Sequence, residues 1–396
     1  MTTAEQATHI ILGQQMLYGT ELVPFHKAMG RILAEPLHSD RDMPPYNRIS
    51  MDGIAISFAA YENGVRSFTI AGTQAAGDQP MEIATPGECI EIMTGCALPA
   101  TTDTIIPYEE LDIANGIARI VAKNVSKGQN IHYKGKDRRQ NDELVPAGRI
   151  IDATLTGVAA TVGKNALLVR KLPRVVIIST GDELVDIHEM PADYQIRRSN
   201  NYVIWATLQQ YGIAADMLHF PDNIALIERE LHRCLQEYDV LALSGGISMG
   251  KYDHLPAAME LLGVEKLFHK VQQRPGKPFW FGRRDKKIVF AFPGNPVSTF
   301  MCLHRYMLPW LDASLGITRA ETYAILAEDV GFTPALTYFM QVMLRVNKKG
   351  ELLASPMQGN GSGDLANLLE TDAFMELPAE RSNFTKGEVY KIWKFK

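Results

Sequence analysis

Several short segments combine residue types that could bind an anion or polarise a phosphate. Thr180-Gly181-Asp182-Glu183 follows the run RVVIIS. Ser244-Gly245-Gly246-Ile247-Ser248-Met249-Gly250 follows VLAL, with Asp253 three residues beyond it. Pro293-Gly294-Asn295-Pro296-Val297-Ser298 follows IVFAF. Glycines let backbone N–H groups approach a phosphate with no Cβ in the way, and a helix start behind them adds favourable dipoles. The plain alternative for Gly245-Gly246 is a tight turn, but three such loops on one sheet edge favour an anion. Glu183 and Asp253 add carboxylates there, and Mg²⁺ needs only one or two protein carboxylates to bridge to phosphate oxygens. Asp253 is equally suited to cap a helix starting at His254. Lys270, Arg274 and Lys277 place three cations within eight residues around a Pro-Gly turn. Such a turn suits a phosphate or tetrahedral oxyanion, or is simply a solvated hairpin. Asp52 precedes Gly53, and Asp-Gly is a strong hairpin-turn pair, so on its own it reads as structural.

Positioning these loops requires strands that end together. Beyond Pro173 the chain alternates: strand at 174–179, helix at 199–211, strand at 214–220, then a helix opened by Asp222 with Ile224, Ile227, Leu231 and Leu235 on one face. Strand 240–243, helix 254–262, strand 288–292 and helix 297–311 follow. That order implies a doubly wound, mostly parallel sheet over 172–318, where ligands bind outside the carboxyl ends of the strands. Residues 3–17 have an amphipathic helical pattern behind Thr2 and Thr3. From Asp42 to Ala122, short apolar runs are cut by Gly, Pro, Asn and Asp, the texture of a β-rich insertion. A PAG turn at 146–148 precedes a helix-like stretch at 152–162. The last 75 or so residues return to strands, at 338–346, 351–354 and 389–394, consistent with a small barrel or sandwich. The fold class expected is therefore α/β plus β. It divides into an elongated linker domain (1–42 with 140–171), an inserted β domain (43–139), the α/β domain (172–318) and a C-terminal β domain (319–396).

Composition narrows the class. The 396 residues are 46% hydrophobic, with 31 Gly and 21 Pro, which suits two or three globular domains and excludes disorder or collagen. A net charge of −5 argues against nucleic acid or a membrane surface as partner, though not against a local anion site. Cys89, Cys96, Cys234 and Cys302 are scattered without a C-x-x-C pair, so no disulfide framework or structural metal is indicated and a reducing compartment fits. The N-terminus lacks a basic leader, and no apolar run approaches the ~18 residues of a span. A cytoplasmic protein is expected.

Read together, PPYNRISMDGIAI, IEIMTGCALPA, ISTGDEL, LSGGISMGKYD, RPGKPFWFG and FPGNPVSTF resemble, in order, the signatures of the molybdopterin molybdenumtransferase family, the MoeA type that includes the C-terminal domain of gephyrin. The resemblance runs from about residue 5 to the C-terminus. It implies an enzyme that takes adenylylated molybdopterin and molybdate, hydrolyses the adenylate with Mg²⁺, inserts molybdenum and releases AMP. It also implies an elongated homodimer with the active site at the subunit interface, and transient contact with the molybdopterin adenylyltransferase. By this resemblance Asp52, Thr94, Asp137, Glu183, Asp222 and Asp253 occupy active-site positions: Asp52, Asp137, Glu183 and Asp253 as catalytic carboxylates, and Glu183, Asp222 and Asp253 as metal ligands. Thr94, Thr180, Gly181, Ser244, Gly245, Gly246, Ser248, Gly250, Lys270, Arg274, Lys277, Pro293, Gly294, Asn295, Ser298 and Ser362 would bind the pterin, its phosphates or molybdate. Asp222 also has the marks of a helix cap. The chain departs from the family at Arg274 in place of Lys, at Arg198 in place of an acidic residue, and at Gln341, which removes a cation from the oxyanion pocket. A molybdopterin adenylyltransferase would share the SGG loop but lack the MDG and MTG motifs and the flanking domains. A non-catalytic scaffold would not need Asp52, Glu183 and Asp253.

Overall fold

The computed structural model describes residues 1–247 and 254–396. The chain divides into two compact units, one of Met1–Ala34, Gly148–Asp152 and Ala166–Lys396, the other of Glu35–Ala147 and Ala153–Asn165.

The smaller unit is built on a six-stranded sheet ordered Thr104–Pro107, Gly53–Ile56, Glu88–Ile92, Ser67–Gln74, Ile117–Ile120, Leu111–Ala114. Its pairs are antiparallel except Ser67–Gln74 with Glu88–Ile92. Alternation sends Ile54, Ile56, Cys89 and Ile106 to one apolar cluster and Ala55, Ile90, Ile92 and Ile105 to another, so both faces of the central strands are buried. Gly53 corrects the hairpin reading of Asp52-Gly53. It opens a central strand, paired with both Ile92 and Pro107, and a Cβ there would stand 1.9 Å from the Ile106 carbonyl oxygen. Glycine is required by close backbone approach, not by a turn.

The larger unit holds the expected sheet, ordered Asp216–Phe220, Val175–Thr180, Val240–Ser244, Lys287–Phe292, Trp280–Arg284, Glu265–His269. The first four strands are parallel, and Trp280–Arg284 runs antiparallel to both of its neighbours. Val175, Ile177, Ala242, Phe290 and Phe292 face one core with Ile204, Leu208 and Trp310, while Val176, Ile178, Leu241 and Leu243 face another with Ile227, Leu231, Leu255 and Met259. Helices thus cover both faces, as doubly wound sheets demand. Helix Ala4–Leu12 starts at Thr3, which exchanges hydrogen bonds with Gln6, and ends at Gly13, short of the expected residue 17. Helix Ile224–Glu237 is capped by Asn223, whose Oδ1 accepts from Leu226 N at 3.0 Å, so Asp222 is not its cap, and Ile224 is exposed. The helix expected at 297–311 is instead Pro296–Cys302, a π stretch Leu303–Met307, and Leu308–Leu315. Pro309 has no N–H for the carbonyl four residues back, and the local change in winding accommodates it.

Five C-terminal strands close into a barrel: Thr337–Val346, Leu352–Pro356, Thr322–Leu326, Val389–Lys394 and Ala373–Leu377, the last returning to the first. Ala324, Met340, Val342, Met375 and Ile392 fill it. Closure leaves no unpaired edge, which decides for barrel over sandwich. The short strand Gln273–Arg274 runs parallel beside Thr337–Val346 and ties a loop of the α/β sheet to the barrel. Among the described residues, no helix is long and apolar enough to cross a membrane.

Candidate functional site

Parallel register brings the loops of interest to one edge. Thr180 lies opposite Phe220, Ser179 opposite Ser244, and Ser244 opposite Phe292. The segments beginning at Gly181, Pro221, Gly245 and Pro293 therefore leave the same end of the sheet. Asn200 ties two of them, donating from Nδ2 to Ser244 Oγ at 2.9 Å and to the Gly294 carbonyl at 2.8 Å. Beside it, Asn201 Nδ2 lies 3.2 Å from Ser179 Oγ, which is paired at 3.1 Å with His219 Nδ1. Burial, then the nearby Arg198 charge, hold the His219 imidazole below its usual range.

The glycines here have a packing reason. Gly246 is left-handed (φ +66°), and a Cβ would stand 2.6 Å from Thr180 Oγ1 and 2.9 Å from Leu255; one on Gly245 would stand 3.1 Å from the Thr180 carbonyl oxygen. The loop closes directly on Thr180, which is buried like Ser244. Glu183 is exposed, and its carboxylate folds over Gly181, where a Cβ would stand 2.4 Å from Oε2. Asp222 donates its backbone N–H to Asp182 Oδ1 at 3.1 Å. Asp182, whose adjacency to Glu183 is its one signal in the sequence, thereby joins the loops at 181–183 and 221–222. Ser248, Gly250 and Asp253 lie outside the described residues. Among the described residues, no three His, Cys, Asp or Glu side chains are grouped to hold a metal. The exposed carboxylates of Asp182, Glu183 and Asp222 are nonetheless the hard oxygen donors Mg²⁺ takes, and it keeps most of its ligands as water.

A cleft of about 640 Å³ opens beside this edge. It gathers Arg274 and Lys277 with Pro293, Gly294, Asn295, Ser298 and Ser362, and the barrel strand paired with Arg274 contributes Tyr338, Phe339 and Gln341 to the lining. Ser362 is more than a loop residue: its hydroxyl accepts from Asn295 Nδ2 at 2.8 Å and its carbonyl from Val297 N at 3.0 Å. Gln341 Oε1 accepts from Asn367 Nδ2 at 2.8 Å, so its carbonyl end is engaged. Lys270 does not line the cleft. Its backbone is left-handed (φ +72°) and bonded to Thr2 and Phe279, and the chain buries Val271 before reaching the turn. Arg198, the other departure, is engaged in its own loop by an ion pair with Asp186, which also accepts from the Tyr202 hydroxyl at 3.1 Å.

The smaller unit carries the remaining carboxylates. Asp52 precedes strand Gly53–Ile56 and Thr94 follows Glu88–Ile92, and the antiparallel pairing Gly53 with Ile92 sets them side by side. Asp52 Oδ1 accepts from Thr94 Oγ1 at 2.7 Å and Thr94 N at 2.5 Å, and these bonds hold the carboxyl below its ordinary range. The Tyr108 phenol is pushed up to about 12 by burial, by its bond to Glu91, and by the charges of Glu91 and Asp52. Asp137 Oδ1 pairs with His132 Nε2 at 2.7 Å. Segment 43–52 supports both carboxylates: strand Arg48–Ile49 pairs with Ile131–His132, Ser50 bonds the Asn130 carbonyl, and Asp137 N donates to Met43 O. Thr94 and Asp137 rested on family resemblance alone, and His132 and Tyr108 had no signal in the sequence.

Family descriptions match the chain in three consecutive stretches: the MoeA N-terminal region (domain I and II) over residues 2–163, a probable molybdopterin binding domain over 176–313, and the MoeA C-terminal region (domain IV) over 323–395. A molybdopterin molybdenumtransferase of Synechocystis sp. is 36% identical over 99% of this chain and 100% of its own, and one from Synechococcus elongatus is 33% identical over 96% and 95%. A solved molybdopterin biosynthesis MoeA protein from a Pyrococcus species superposes with a TM-score of 0.86 at 27% identity, over 100% of this chain and 99% of its own.

Proposed function

This chain belongs to the molybdopterin molybdenumtransferase family of MoeA proteins, and from that premise we propose that it is a transferase of molybdenum cofactor biosynthesis that inserts molybdenum into molybdopterin. The observation that carries the reading is the cleft in which Arg274 and Lys277 face Ser298, Asn295 and Ser362 beside the carboxyl ends of the parallel strands. Two cations with hydroxyl and amide donors suit a tetrahedral oxyanion such as molybdate.

The finer reading is that the pterin arrives adenylylated and that its adenylate is hydrolysed with Mg²⁺, releasing AMP. Glu183, Asp222 and Asp253 would hold the Mg²⁺, which would offset charge developing on the phosphate. Loops 180–183 and 244–250, including Thr180, Gly181, Ser244, Gly245, Gly246, Ser248 and Gly250, would receive the phosphates through backbone N–H groups. With Thr94 donating twice to Oδ1, Asp52 stays ionised and is a weak proton acceptor. It therefore serves better as a fixed negative charge that orients water or a hydrated cation through Oδ2 than as a general base. Asp137, backed by His132, would act beside it. Lys270 is left without support as an oxyanion ligand by its place outside the cleft.

The reading extends to a homodimer with its active site at the subunit interface, to transient contact with the adenylyltransferase, to a cytoplasmic location, and to the four-part division at residues 1–42 with 140–171, 43–139, 172–318 and 319–396. Purified protein given adenylylated molybdopterin, Mg²⁺ and molybdate should release AMP in a molybdate-dependent way. Asp52→Asn should slow release at least tenfold, ~1.4 kcal/mol of barrier. Wild type that releases no AMP would refute the reading, and adenylylation of free molybdopterin by ATP would replace it.

A further inference from the structure

The turn that carries both cations of the cleft rests on a buried polar chain. Gln273, 1% exposed, donates from Nε2 to the Gly276 carbonyl at 3.1 Å and lies 3.5 Å from Cys302 Sγ. Its Oε1 accepts from the Tyr306 hydroxyl. Tyr306 is also 1% exposed, stacks on Phe279 with centroids 5.0 Å apart, and is kept protonated by burial. Gly276 is left-handed (φ +87°), and a Cβ there would stand 2.7 Å from Cys302 Sγ and 3.0 Å from Gln273 Nε2. The turn is therefore seated directly on Gln273 and Cys302, with no slack between them.

The chain continues into the barrel. Arg305, beside Tyr306 in the π stretch Leu303–Met307, lies over the Tyr306 ring at 4.9 Å and the Trp393 ring at 4.2 Å, and its Nη2 is 3.2 Å from Glu376 Oε1. Glu376 is the cross-strand partner of Phe339, which lines the cleft. Side-chain hydrogen bonds, a cation over an aromatic ring and one strand pairing thus link the cationic turn to the barrel, beside the direct pairing of Gln273–Arg274 with Thr337–Val346. Oxyanion binding by two long, exposed side chains depends on the backbone that bears them, and small misplacements are costly.

We propose that Tyr306 and Gln273 are positioning residues for the oxyanion cleft, fixing the Arg274–Lys277 turn against the barrel wall. The role rests on the reading of the cleft as a molybdate site. Neither residue touches the anion. The π stretch has a use on this account, since it carries both Tyr306 and Arg305 toward the cleft's foundation.

The test compares wild type, Tyr306→Phe, the double variant Tyr306→Phe with Gln273→Met, and Lys277→Ala as a control that removes a cleft cation. Calorimetric titration with molybdate, steady-state kinetics, thermal melting and hydrogen exchange at the Val271 and Phe279 amides are measured. Those amides are bonded to Lys277 O and Gly276 O and report on the turn itself. Tyr306→Phe should weaken molybdate binding about tenfold, raise its KM to match while kcat holds, and speed exchange at Phe279. The double variant removes the stranded buried acceptor, so its melting temperature should recover in part while the KM stays high. Molybdate affinity that returns with melting temperature, or that never changes in Tyr306→Phe while Lys277→Ala abolishes binding, overturns the positioning role and leaves the cleft reading intact. Wild type that does not bind molybdate overturns the cleft reading, and the positioning role falls with it.

Discussion

His304 should give the larger unit an acid-sensitive stability. Its imidazole is buried in the π stretch against Phe300, with centroids 4.3 Å apart, and Phe395, and among the described residues Nε2 has no hydrogen-bond partner. Burial alone pulls its pKa down from 6.5 to about 4. The unfolded chain therefore takes up a proton below pH 6.5 that the folded chain refuses until about pH 4. Stability is fully present above pH 6.5 and is lost as pH falls through that window. At 1.36 kcal/mol per unit, the loss is about 2 kcal/mol by pH 5 and approaches ~3 kcal/mol near pH 4. His304→Phe keeps an aromatic ring among Phe300 and Phe395 but cannot protonate. All four tryptophans, Trp205, Trp280, Trp310 and Trp393, lie in this unit, so urea unfolding followed by tryptophan fluorescence reports on it. The difference in unfolding free energy between wild type and variant should shift by about 2 kcal/mol in the variant's favour between pH 8 and pH 5. A difference that stays constant with pH would refute the assignment of this titration to His304.

Gly53→Ala should cost ~3 kcal/mol or more, because its Cβ meets the Ile106 carbonyl at 1.9 Å in a strand paired on both sides, and it should displace Asp52 with it; a melt within a degree of wild type would contradict the close approach. Asn200→Ala removes the donor shared by Ser244 Oγ and the Gly294 carbonyl, so it should lower stability by ~1–3 kcal/mol and raise the KM for adenylylated pterin several-fold, with an unchanged KM counting against a loop-bracing role.

Much of the architecture was legible because its signals are local. Short, β-branched apolar runs such as RVVIIS and IVFAF, bounded by Gly- and Pro-rich loops, read as strands buried on both faces, and the helical spacing between them implies the doubly wound sheet. Once four strands are parallel, their loops share an edge, and that put residues 180–183, 244–247 and 293–298 together. The ordered motifs identified the family for the same reason, since each is a short contiguous stretch.

Tertiary structure decided what depended on register and distant packing. Thr94 reaches Asp52 across 42 residues because Gly53 pairs with Ile92, and a one-residue slip would turn every side chain of that strand over. Tyr306 reaches Gln273 across 33 residues through a change in helix winding that no spacing rule anticipated. Glycines 53, 245, 246 and 276 read in the sequence as turns or as an open approach for an anion, but what each one makes room for is a particular backbone or side-chain atom. Lys270, Arg274 and Lys277 were equivalent charges on one short segment. Only the left-handed turn at Lys270 and the strand pairing beyond it separated the lysine outside the cleft from the two cations inside it. Residue types and their order identified the family, and long-range contacts decided which side chains stand together, because a partner tens of residues away is chosen by the whole fold's packing and not by its neighbours in sequence.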